Sequence, residues 1–120
     1  MEQPLFFPNW RDKVIFSAPG PQPQVLHEDD KVKMVVVGLE PGAKIPLHPG
    51  DFGVYHFLEG TGQMRAGDET FEVQAGGTVV VPAGASRGMT AHTRLAFMAV
   101  RIAGSRFTAA PPSSSPRLRG

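Results

Sequence analysis

Residues 32–60 read VKMVVVGLEPGAKIPLHPGDFGVYHFLEG, and this stretch decides the fold. It opens with Val32-Lys33-Met34-Val35-Val36-Val37-Gly38-Leu39, alternating at first and then continuously apolar. Valine dominates the run, and no helical periodicity with caps frames it, so it predicts a buried strand. Pro41-Gly42 closes it as a turn. Residues 45–48 predict a second strand, ended by Pro49-Gly50, and residues 52–58 a third, ended by Glu59-Gly60.

The same rhythm continues outward. Residues 63–66 and 70–73 flank Gly67-Asp68-Glu69, a hairpin signal. Ala75-Gly76-Gly77 is a turn, residues 78–81 a buried strand, Pro82-Ala83-Gly84 another turn, and residues 94–102 a long closing strand. Upstream, Leu5-Phe6-Phe7-Pro8-Asn9-Trp10 predicts an extended aromatic arm, and residues 14–17 a short edge strand. Ala18-Pro19-Gly20-Pro21-Gln22-Pro23 is too proline-rich for a helix or central strand, and an acidic turn, His27-Glu28-Asp29-Asp30, follows it. Short, regularly spaced strands imply an all-β sandwich or closed barrel. Residues 1–30 are then an arm and edge strand packing on the barrel, residues 31–103 the barrel, and residues 104–120 a flexible tail. The tail includes the low-complexity run Pro111-Pro112-Ser113-Ser114-Ser115-Pro116.

Composition fits one such domain. The 120 residues include 14 Gly and 12 Pro, with 41% apolar and 19% charged residues, enough for one core. The absence of cysteine rules out disulfides, thiolate catalysis and cysteine-ligated zinc. Net charge is +1, but Arg106, Arg117 and Arg119 face no acid after Gly104, leaving nine bases and eleven acids, or −2, before it. No basic stripe marks a nucleic-acid face. No apolar run approaches the ~20 residues needed to cross a bilayer, and Met1-Glu2-Gln3-Pro4 lacks the marks of a signal peptide. The expectation is a soluble cytoplasmic protein with neither nucleic-acid nor membrane partners.

Three segments carry a specific resemblance: Pro41-Gly42-Ala43-Lys44-Ile45-Pro46-Leu47-His48, Tyr55-His56-Phe57-Leu58-Glu59-Gly60, and Gly76 through Val81-Pro82-Ala83-Gly84. Their glycine and proline framework resembles the two motifs of the cupin superfamily, in order and separation. The resemblance implies a double-stranded β-helix, or jelly-roll barrel. In the family those motifs also carry three histidines and a glutamate that hold a metal. Carried onto this chain, the first histidine is His48 and the second falls on Gly50. The glutamate falls on Val54 or Tyr55 counting forward and on Gly53 counting back from Gly60. The third histidine falls on Arg87, and the asparagine that closes the second motif on Ala91.

One ligand of four remains, whereas a divalent transition metal needs at least three lone-pair donors. Arginine has no lone pair to give, and its fixed charge repels the ion. The expectation is therefore no metal and no cofactor. The alternative is a relocated site on His48, His56, His92 and Asp51 holding zinc, iron, manganese or nickel. It depends on register: with Gly53 inward, Tyr55 and Phe57 point in and His56 out, whereas with Val54 inward His56 joins His48 inside.

An inward Arg87 beside His48 would make an anion receptor for a carboxylate or phosphate. Tyr55 would add a donor, and Phe57, Met64 and Met98, with Met34, an apolar wall. Arg87 serves equally as a rim residue paired with Asp51 or Glu59. Arg65, Arg94 and Arg101 are expected to face solvent. Three functions follow: a metal-free module binding an anionic or polar small molecule, a metal-dependent oxygenase or isomerase of the cupin kind, and an assembly protein. In the last, the aromatic arm would reach a second subunit in a homodimer.

Overall fold

The structure, a computed structural model, describes residues 3–17 and 20–104. Of the expected tail, all but Gly104 lies outside the described residues. The strands are β1 (Gln24–Glu28), β2 (Val32–Leu39), β3 (Lys44–His48), β4 (Phe52–Glu59) and β5 (Thr61–Ala66). They continue as β6 (Glu69–Gln74), β7 (Thr78–Val81), β8 (Arg87–Ala91) and β9 (Leu95–Ile102). A 3-10 turn, Trp10–Asp12, precedes them.

The strands form a five-stranded sheet, β1-β2-β9-β4-β7, and a four-stranded sheet, β3-β8-β5-β6, with every pairing antiparallel. The two sheets remain separate ladders and face each other as a jelly roll, the double-stranded β-helix architecture expected. One shared core lies between them: Val35, Val37, Leu39, Tyr55, Phe57, Phe97 and Ala99 from the larger sheet meet Met64, Val73, Met89 and Ala91 from the smaller. Phe57 and Met64 are wholly buried, so the interior is filled by side chains. Among the described residues no helix is long and apolar enough to cross a membrane.

The turn glycines earn their places sterically. Gly42, Gly60, Gly76 and Gly84 all have φ between 84° and 94°, where a side chain is strained. At Gly60 a Cβ would also run into the backbone carbonyl of Arg94.

Three local expectations change. Residues 14–17 are not a strand. They cross the outer face of β2, where the Phe16 ring and the Ile15 carbonyl occupy the space a Cβ on Gly38 would need, at 2.7 and 2.8 Å. The edge strand is β1, which takes in His27 and Glu28 from the expected acidic turn. Residues 87–91 form a full central strand, β8, between β3 and β5. Its inward series starts with an arginine, which disguises the alternation.

Candidate functional site at the mouth of the roll

The register of β4 decides which side chains enter the roll. Its burial alternates, with Gly53, Tyr55 and Phe57 buried and Val54, His56 and Leu58 only partly so. Pairing with β9 sets Gly53 opposite Arg101, Tyr55 opposite Ala99 and Phe57 opposite Phe97. Of the two registers the spacing allowed, the structure adopts the one with Gly53 inward. His56 therefore lies on the outer face, its Nδ1 2.7 Å from Thr78 Oγ1.

Arg87 points inward and is 2% exposed, the one buried charged residue among the described residues. Its guanidinium is held along one edge by turn carbonyls. Nε and Nη2 both donate to Ala85 O, at 3.3 and 2.9 Å. Nη2 also donates to Gly50 O at 3.1 Å and lies 3.4 Å from Pro82 O. On the other side Nη1 donates to Tyr55 Oη at 3.2 Å. The cation thus ties the β3–β4 turn to the β7–β8 turn across the mouth. Among the described residues no carboxylate lies within ion-pair distance of it, so neither Asp51 nor Glu59 is its partner.

The guanidinium occupies space that glycines leave. A Cβ on Gly50 would come 3.3 Å from Arg87 Cζ, and one on Gly53 2.9 Å from Arg87 Nη1 and 2.9 Å from Tyr55 Cε1. These are the very positions where the cupin motif would set its second histidine and, counted back from Gly60, its glutamate. One long cation fills the volume of two missing ligands. At this mouth the described residues do not fit a metal. The turn carbonyls already accept from the guanidinium, the two glycines bring no side-chain donor, a neutral phenol is a poor ligand, and the fixed charge opposes a second cation.

The relocated metal set is not brought together either. His56 is on the outer face. His92 follows β8 at the far end, 3.3 Å from Glu72. His48 and Asp51 are exposed at the mouth. Among the described residues no group of three or more histidine, aspartate or glutamate side chains is placed to hold an ion.

His48 is not beside the guanidinium as expected, although its Cα pairs with that of Arg87. The ladder slips between Ile45 and His48, where Pro46 offers no N–H, and the bulge turns the ring out. The exposed ring donates from Nδ1 to Pro49 O at 3.0 Å. Met98 also leaves the expected wall. Leu95, Phe97 and Ala99 are its inward neighbours, so Met98, like Met34, lies on the outer face of the larger sheet. Tyr55, Phe57 and Met64 do line the interior.

Arg101, expected to face solvent, lies on the inner face instead. It shares the inward parity of Leu95, Phe97 and Ala99, and it pairs with Lys33 on one side and Gly53 on the other. Half-buried at the end of β9, it adds charge to the mouth where the roll opens. Lys33, opposite it, is 3.9 Å from Glu28. The counting signal was available, since Arg101 stands four residues after Phe97.

A family model described as a cupin domain matches residues 35–101. Among solved structures, a conserved protein with a double-stranded β-helix domain from Klebsiella pneumoniae superposes with a TM-score of 0.74 at 21% identity, over 86% of this chain and 92% of that one. An RmlC-like cupin from Shewanella frigidimarina gives 0.70 at 19% identity, over 89% and 97%. A conserved protein of unknown function from Streptococcus pyogenes gives 0.72 at 20% identity, over 85% and 90%. At these identities the likeness is one of fold. No curated protein matches the sequence.

Proposed function

This chain belongs to the cupin domain family, and from that premise we propose that it is a small-molecule-binding cupin that works without a metal, with Arg87 taking the metal's place. The reading favours a small anionic organic ligand, held at the mouth by Arg87 and Tyr55.

One observation carries it: a buried guanidinium without a carboxylate, whose hydrogen-bonding capacity is unevenly spent. Nε and Nη2 are used on carbonyls, while Nη1 has two protons and one acceptor among the described residues. Tyr55 Oη accepts from Nη1, and among the described residues its own proton has no acceptor. Two adjacent donors, one of them charged, therefore lack oxygen partners in a nearly dry site. Leaving such donors unsatisfied costs roughly 1–3 kcal/mol each, more when charged. A carboxylate or phosphate oxygen supplies what is missing through short charge-assisted bonds. The half-buried Arg101, across from Gly53, favours the same sign of charge. Since the interior is filled, a ligand enters by parting the turns at residues 49–51 and 82–86, which among the described residues are tied by Arg87 and by the Gly84 N–H to Gly50 O bond (2.8 Å).

The test is a thermal-melt panel with malonate, citrate and inorganic phosphate on the wild type and Tyr55→Phe. Ligand at a hundred times Kd adds about 2.7 kcal/mol of stability, on the order of 10 °C for a domain this size. At least one anion should raise the wild-type melting temperature and lose most of that effect in Tyr55→Phe. Equal shifts in both proteins, or none with any of these anions, would reject the reading.

A further inference from the structure

The N-terminal arm crosses the outer face of the five-stranded sheet and is pinned at two places. Phe16 rests over Gly38, with the Arg94 guanidinium 3.9 Å above its ring. Arg11 stacks on Trp10 at 4.4 Å and reaches Glu59 at 3.3 Å. Between and beyond these pins the arm covers the sheet incompletely, with Val36 buried beneath it and Met34, Leu58 and Met98 only half-buried. A cavity of about 670 Å³ separates Phe7 and Trp10 from Met34, Val36, Leu58 and Met98. A second hollow of about 660 Å³ shares Leu5, Phe7 and Met34 with it. At the arm's tip Leu5 is 62% and Phe6 83% exposed. Phe7 and Trp10 on the arm and Met34, Leu58 and Met98 on the sheet thus line a partly open hollow, and an apolar body filling it would remove their remaining apolar area from water.

We infer that this gap is a binding site for an amphipathic carboxylate, its apolar body under the arm and its head at Lys13. The volume lies in the range of small-molecule sites, ~300–1,000 Å³. Two methionines on the sheet side give a wall that adapts to an irregular apolar body. The charge is one-sided: no aspartate or glutamate lines either hollow. Arg11 is already balanced by Glu59. Lys13 Nζ sits 5.6 Å from the Phe7 ring and, among the described residues, has no carboxylate within 4 Å. A second copy of the chain is the poorer occupant. A two-fold contact must be self-complementary, and it would bring two acid-free linings carrying Arg11 and Lys13 together.

Trp10, the only tryptophan, lines the cavity and reports on it directly. Its emission is followed while the full chain is titrated with decanoate below its micelle concentration, with decanol as the uncharged body and acetate as the bare head. Decanoate should give a saturable shift to the blue, decanol a weaker one, and acetate none. Lys13→Gln should lower decanoate affinity about three- to tenfold, to near that of decanol. The inference fails if decanoate gives no saturable change, or if Lys13→Gln keeps the preference for decanoate. It also fails if ligand-free Trp10 emission moves with protein concentration while sedimentation shows a dimer, since a second copy would then fill the gap.

Discussion

Replacing Gly53 by alanine probes the guanidinium in the mouth of the roll through its tightest contact. Gly53 lies in β4 and is not among the glycines of positive φ, so alanine on backbone grounds alone should stabilise by about 0.5–1 kcal/mol. The structure reverses that sign. The new Cβ would lie 2.9 Å from Arg87 Nη1 and 2.9 Å from Tyr55 Cε1, well inside the ~3.5–4.0 Å at which such atoms attract. Overpacking of this kind costs about 1–3 kcal/mol. Pushing Nη1 from Tyr55 Oη also forfeits a charged hydrogen bond worth about 1.5–3 kcal/mol. We expect a net loss of about 2–5 kcal/mol, on the order of 10–20 °C in melting temperature. The decisive comparison uses Arg87→Met. With the guanidinium gone, the Tyr55 ring can move into its place, and Gly53→Ala should then cost little or nothing. Urea unfolding of the wild type, both single variants and the double variant gives the coupling between the two sites, expected to be at least about 1 kcal/mol. If Gly53→Ala costs the same in both backgrounds, the guanidinium does not occupy the space the glycine leaves.

Other perturbations reach other parts of the structure. Gly38→Ala sets a Cβ 2.8 Å from the Ile15 carbonyl and 2.7 Å from the Phe16 ring, so the arm must lift. Trp10 emission should shift to the red and proteolysis within residues 3–17 should accelerate, and wild-type behaviour in both would refute this packing. Asp29 accepts hydrogen bonds from His27 and from the Lys31 and Val32 amides, which together hold its carboxyl at about 2, below the usual 3.8. A lowered pKa means this stabilisation is present above pH 3.8 and disappears as pH falls through about 2. The gap in melting temperature between wild type and Asp29→Ala should therefore hold from pH 6 to about 4 and close toward pH 2. A gap unchanged at pH 2 would contradict it.

The fold was legible because its turns are written in glycine and proline: Pro41-Gly42, Pro49-Gly50 and Pro82-Ala83-Gly84 punctuate strands whose apolar runs need little interpretation. What escaped has physical causes. β8 was hidden because a core position holds Arg87, which reads as a surface residue until its carbonyl cage is seen. β9 was found, but its parity was not, since Leu95-Ala96-Phe97-Met98-Ala99-Val100 is apolar on both faces. The arm covering the outer face removes the polar alternation that would have marked Met98 as outward. His48 falls on the motif's first histidine and was still misplaced in space, because the slip between Ile45 and His48 is a property of the ladder and not of the count. The His56 register was open in the sequence and closed only by the pairing of β4 with β9.

The replacement of a metal by Arg87 is best judged by elemental mass spectrometry on protein purified without chelator and without a metal-affinity step. A roll whose ligand positions are held by Gly50, Gly53 and a fixed cation should carry zinc, iron, manganese and nickel far below one ion per chain, in wild type and Arg87→Met alike. One tightly held equivalent of any of these in the wild type, lost when His48 is replaced, would contradict it.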